Sequence, residues 1–93
     1  MSAQLSKAAA LELLSIVRSI PGVHDMHPGL FGEVALLYPG ERVPGVRVTD
    51  HCLEIHVVAT RDAGDLRMLG NVIVAATQPL SNLPVHVTIG DID

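Results

Sequence analysis

Leu53-Glu54-Ile55-His56-Val57-Val58-Ala59 is the segment on which the fold turns. Leu53, Ile55 and Val57 share one face by the period of two, and Glu54, His56 and Val58 share the other. That alternation predicts a strand with one face in a core and one more polar. Upstream, Val46 to Thr49 predicts its hairpin partner, turning around Asp50-His51. Further back, Pro39-Gly40-Glu41-Arg42-Val43-Pro44-Gly45 reads as a loop, because two prolines and two glycines punctuate it. Gly32 to Tyr38 reads as a strand with Val34, Leu36 and Tyr38 on one face and Glu33, Ala35 and Leu37 on the other. His27-Pro28-Gly29 is a turn, and Val23 to Met26 a short strand.

Both flanks of this β-rich middle are helical. Over residues 3–20, Leu5, Ala9, Leu13, Ile16, Val17 and Ile20 recur at three- and four-residue spacing. Ser2 or Ser6 caps the start, and Pro21-Gly22 ends it. After the central strand, Thr60 or Asp62 caps a second helix whose stripe is Leu66, Leu69, Ile73 and Ala76. Gly70 within it predicts a close approach to the sheet. Pro79 ends that helix, and Leu83 to Ile89 forms a last strand with Val85, Val87 and Ile89 inward. The expectation is an α+β fold of order α-β-β-β-β-α-β: a mostly antiparallel sheet of four to five strands with two helices on one face. Residues 1–93 suit one domain. The open face is expected to carry Arg47, Glu54, His56, His86 and Thr88, together with Leu37 and Val58.

Composition excludes several functions. The chain is 48% hydrophobic, which argues against disorder and leaves apolar area for an interface. The net charge is -4, and Lys7, Arg18, Arg42, Arg47, Arg61 and Arg67 are scattered. No cationic patch forms to displace counterions from a phosphate backbone, so nucleic acid is not an expected partner. Cys52 is the single cysteine, which excludes an intrachain disulfide and suits a reducing, cytoplasmic compartment. Glu12, Ser15 and Arg18 interrupt the first apolar run, which argues against a signal peptide or direct membrane insertion.

The chemistry-bearing residues are sparse. His24, His27, and His51 beside Cys52 are metal-ligand types, but a structural zinc site needs four ligands, usually in close pairs. His51 and Cys52 diverge if they lie in a strand. Cys52 has no well-directed base to activate it as a nucleophile. His56 and His86, on one face with Glu54, are a candidate pH-responsive group. No phosphate-binding glycine motif occurs. No catalytic residue, cofactor or metal is expected, and the chain reads as a protein-binding domain rather than an enzyme.

Three runs carry a family resemblance: Phe31-Gly32-Glu33-Val34-Ala35, Tyr38 through the Arg42-Val43-Pro44-Gly45-Val46-Arg47-Val48 loop, and Leu53 to Ala59. Together with the ending Val85-His86-Val87-Thr88-Ile89-Gly90-Asp91-Ile92, they resemble the bacterial alkaline-shock, or Gls-type envelope stress response, family, and most closely its short actinobacterial members. The likeness spans nearly the whole chain and is most specific in the loop. The chain departs from the pattern at His51-Cys52, where a turn glycine is common, and at Thr60 to Gly64, where an aromatic-glycine approach to the second helix is common. The resemblance implies a small, cytoplasmic, non-enzymatic protein of envelope or alkaline stress. It implies a scaffold or adaptor that binds itself or a membrane-anchored family partner, with membrane association only through that partner. It brings no catalytic residues. The expected contacts are the 39–45 loop and the open face, through Leu37, Arg42, Val43, Arg47 and Val58. An accessory domain for metal trafficking or iron-sulfur assembly is the alternative, since it would employ Cys52 and the histidines.

Overall fold

A computed structural model describes residues 5–93. The elements run α1 (Lys7–Arg18), β1 (Val23–Met26), β2 (Ala35–Tyr38), β3 (Glu41–Pro44), β4 (Val46–Val48), β5 (Leu53–Ala59), α2 (Leu66–Thr77), a 3-10 turn at Gln78–Leu80, and β6 (Val85–Ile92).

β5 is the central strand, and its burial alternates residue by residue as its sequence predicts. Two short strands share one of its sides end to end. β4 pairs antiparallel with Leu53 to Ile55, and β1 pairs antiparallel with Val57 to Ala59. His56 holds the junction: its N–H donates to the Gly45 carbonyl at 2.8 Å, and its carbonyl accepts from the His27 N–H at 2.8 Å. β6 lies along the other side of β5 and runs parallel to it. The sheet is therefore mixed, which corrects the expectation of a mostly antiparallel one. The cause is α2: a helix between two neighbouring strands carries the chain back to the end where the first began, so the second runs the same way.

β2 and β3 form a separate two-stranded ribbon. Here the expected loop at 39–45 is corrected. Pro39 and Gly40 alone make the turn, with Gly40 at φ +73°, the positive angle that a type II turn requires after proline. Glu41 to Pro44 is a strand. The Gly45 N–H donates to the Val34 carbonyl at 2.8 Å, so ladder positions fall at 45, 43 and 41. The N–H that Pro44 lacks thus points outside the ladder, and proline is tolerated there.

Gly45, at φ +80°, passes the chain from the ribbon into the main sheet. A Cβ there would lie 2.7 Å from the Met26 Cβ and 2.8 Å from the His56 carbonyl oxygen, so only glycine fits without displacement.

One core joins Ala10, Leu13 and Val17 of α1 with Leu69 and Ile73 of α2. Val23, Met26, Val43, Val46, Leu53, Ile55, Val57, Ala59 and Val85 join it from the strands. Both helices therefore cover one side of the sheet. Ser6 caps α1, its hydroxyl accepting from the Ala9 N–H at 3.1 Å. The expected start at residue 3 and the alternative cap Ser2 lie outside the described residues. The cap of α2 is Asp65, which accepts from the Arg67 and Met68 amides, rather than Thr60 or Asp62. Thr60 is engaged elsewhere: its N–H donates to the Gly22 carbonyl and its carbonyl accepts from Ala63, closing a turn before the helix begins. Gly70 also departs from expectation, because a Cβ there meets nothing within 4 Å. Thr77 is fully buried instead, its hydroxyl donating to the Ile73 carbonyl at 2.7 Å. Among the described residues no helix is long and apolar enough to cross a membrane.

Candidate interaction surface

The loop between β1 and β2 spans residues 27–34. It begins with His27, whose ring lies over Gly90 of β6 and whose Nδ1 accepts the Gly29 N–H at 3.0 Å. The Pro28 carbonyl accepts from Val34 at 2.9 Å, closing the loop base. At its far end the Glu33 carboxylate accepts the Phe31 N–H at 2.9 Å, and the Arg42 guanidinium donates to the Gly32 carbonyl. Glu33's own amide and then the Phe31 amide hold its carboxyl below the usual carboxylate range.

These bonds present Leu30 and Phe31 to solvent at 87% and 91% exposure. Phe31 is the only phenylalanine of the chain. A lone exposed apolar residue is ordinary, but two adjacent ones on a hydrogen-bonded loop are not. The sequence carries the signal as Leu30-Phe31 between Gly29 and Gly32. With glycine on either side, no neighbouring side chain can cover the pair.

The five expected contact residues are divided between the two sheets. Leu37 is 74% exposed and sits directly across from Arg42 on the β2–β3 ribbon. Arg42 joins that ribbon to the Leu30–Phe31 loop through Gly32. Arg47 and Val58 lie instead on the four-stranded sheet, on β4 and β5. Val43 is corrected outright: it is 0% exposed and belongs to the core, because the strand period turns it inward between Arg42 and Pro44.

On the open face, Arg47 is paired within the chain. Its guanidinium meets the Glu54 carboxylate at 2.7 Å, and the His56 Nε2 meets the same oxygen at 3.1 Å. Bonding to Arg47, and next to His56, holds the Glu54 carboxyl below its usual range. The strand register sets Glu54 beside His86 and His56 beside Thr88. His56 and His86 thus share a face, as expected. Among the described residues the side-chain partner of the His56 ring is the Glu54 carboxylate.

Cys52 is buried and His51 exposed, so they diverge. The Thr49 hydroxyl accepts the Cys52 N–H at 3.0 Å and lies 3.4 Å from its Sγ. Among the described residues no three His, Cys, Asp or Glu side chains gather as a metal-holding set. No family model, curated protein or solved structure matches the chain, so the alkaline-shock resemblance rests on the motifs quoted above.

Proposed function

We propose that this chain is a non-enzymatic adaptor or scaffold acting through protein–protein contacts, and that the Leu30–Phe31 tip, with Leu37 and Arg42 beside it, is its contact surface. The observation that carries this reading is the 91% exposure of Phe31 on a loop held by Glu33, His27 and Arg42. Aromatic side chains anchor interfaces because they bury much area for few lost rotamers. A loop already fixed by hydrogen bonds loses less entropy on docking than a mobile one. The alkaline-shock resemblance adds a cellular context: a cytoplasmic protein of envelope or alkaline stress whose partner is a membrane-anchored family member. It also supports self-association as part of the role.

A photoreactive amino acid at position 31, introduced in the native cells, tests the site. A discrete protein adduct is expected. The Leu30→Ser/Phe31→Ser variant should keep its stability within ~0.5 kcal/mol, since both side chains are exposed. It should bind the captured partner at least ~30-fold more weakly, as loss of an interface anchor does. Undiminished binding by the double variant would refute the assignment.

A further inference from the structure

Among the described residues β6 pairs with β5 alone, along one side. The bond from the Leu53 N–H to the Pro84 carbonyl, with the parallel register Leu53↔Val85, fixes which groups point where. His86 and Thr88 turn their backbone N–H and C=O toward β5. Val85, Val87 and Ile89 turn theirs to the outer edge. Such an edge is a template for another strand unless it is blocked.

Both ends of this edge are blocked from within the chain. At the start, the Gln78 side-chain amide acts as a substitute strand: it accepts the Val85 N–H at 3.0 Å and donates to the Leu83 carbonyl at 2.9 Å. At the end, the register shifts between Val57 and Val58, passing over Gly90. Beyond the shift, the Asp91 carboxylate accepts the Ile92 N–H at 2.8 Å. Between the blocks, among the described residues, no side chain or outside backbone group bonds to Val87 or Ile89.

We infer that a second copy of this chain pairs here, β6 against β6 antiparallel, with a two-fold axis through Thr88. The open run selects both the partner and the register. Antiparallel pairing of Val87 with the second copy's Ile89, and the reverse, satisfies the N–H and C=O of both residues in both chains by four backbone hydrogen bonds. Moving the axis to Val87 would bring Val85 into the ladder, where Gln78 already holds its N–H. Moving it to Ile89 would bring in Asp91, beyond the register shift. The side chains agree with the chosen register. Val87 and Ile89, both half-buried, meet their counterparts on the helix-covered side. Thr88, exposed on the open face, meets Thr88 of the second copy as a close, non-hydrogen-bonded pair of a kind that stabilises sheets. A closed two-fold contact also uses up the edge and ends in a dimer rather than a fibre.

The test reads mass by sedimentation equilibrium up to ~1 mM protein, the range in which weak dimers appear. Wild type should show a monomer–dimer equilibrium. Thr88→Asp and Thr88→Lys each place like charges across the axis and should each weaken the dimer at least ~10-fold. Mixed in equal amounts, they should restore it as a heterodimer. Thr88 is exposed, so both variants should fold, and near-wild-type melting confirms that they have. Monomeric wild type throughout the range, or undiminished dimers of Thr88→Asp, or no recovery on mixing, would each overturn the inference. Leu30→Ser/Phe31→Ser should leave the dimer unchanged, so failure at the edge and failure at the tip are told apart.

Discussion

Replacing Gly45 with alanine should destabilise the protein by ~2–5 kcal/mol. Two costs add. The left-handed backbone at φ +80° penalises any Cβ by ~1–2 kcal/mol. The new methyl also strikes the Met26 Cβ at 2.7 Å and the His56 carbonyl oxygen at 2.8 Å. Neither neighbour moves freely. The carbonyl accepts the His27 N–H that joins β1 to β5, and Met26 is in the core. Overpacking of such a site costs ~1–3 kcal/mol. Gly40→Ala is the control: its φ is +73°, but a Cβ there meets nothing within 4 Å, so it bears only the backbone cost. Urea denaturation, comparing midpoints at constant m, separates the two. At about 4–8 °C per kcal/mol in a domain of this size, Gly45→Ala should also melt at least ~8 °C lower. Equal losses for the two variants would refute the claim that this glycine is required by its neighbours as well as by its φ.

Gly70→Ala should raise stability by ~1 kcal/mol, because the site is open and glycine is the poorer helix former; chemical denaturation would detect the higher midpoint. Asp65→Ala should lower stability by ~1 kcal/mol by removing the acceptor for the Arg67 and Met68 amides, readable as a loss of melting temperature. Glu54 predicts a pH dependence. Its folded pKa is depressed by Arg47 and then His56, so its contribution is complete above the ordinary value of 4.5 and is lost as pH falls through the lower folded value. Denaturant midpoints of Glu54→Gln should therefore converge on those of wild type in acid and separate from them above that range.

The period-two alternation of Leu53 to Ala59 made the central strand legible, and three- and four-residue spacing did the same for α1 and α2. Strand direction was less accessible. β5 and β6 each alternate, and alternation is commoner in antiparallel sheets, but the intervening helix is the stronger signal and it dictates a parallel pair. The ribbon at 41–44 was hidden by Pro44, which is harmful inside a ladder but harmless where its nitrogen faces away. Val43 followed as an error, since a residue assigned to a loop appears free to touch a partner. Arg42 and Leu37 did reach the surface, because alternation from the buried Val43 and half-buried Leu36 places them outward. Phe31 was legible only as an aromatic between glycines. Its exposure goes with Glu33 and Arg42 gripping the loop; the Glu33 contact is local, but that of Arg42, ten residues from Gly32, arises from the placement of the ribbon.

Net charge supplies a further constraint that separates the readings by the sign of a salt effect. Each chain carries -4, so two copies meeting along β6 repel one another at long range. The attractive contacts at the edge are backbone hydrogen bonds and apolar side chains, which salt hardly screens. Raising salt shortens the screening length to about 8 Å at physiological strength, and so should strengthen the dimer. A contact made through Arg42 to an acidic partner would weaken under the same change. Nucleic-acid binding would weaken most steeply, because each neutralised phosphate releases a counterion that added salt opposes. Self-association that falls with salt would therefore count against a pairing built on the uncharged centre of β6, even if the measured mass were that of a dimer.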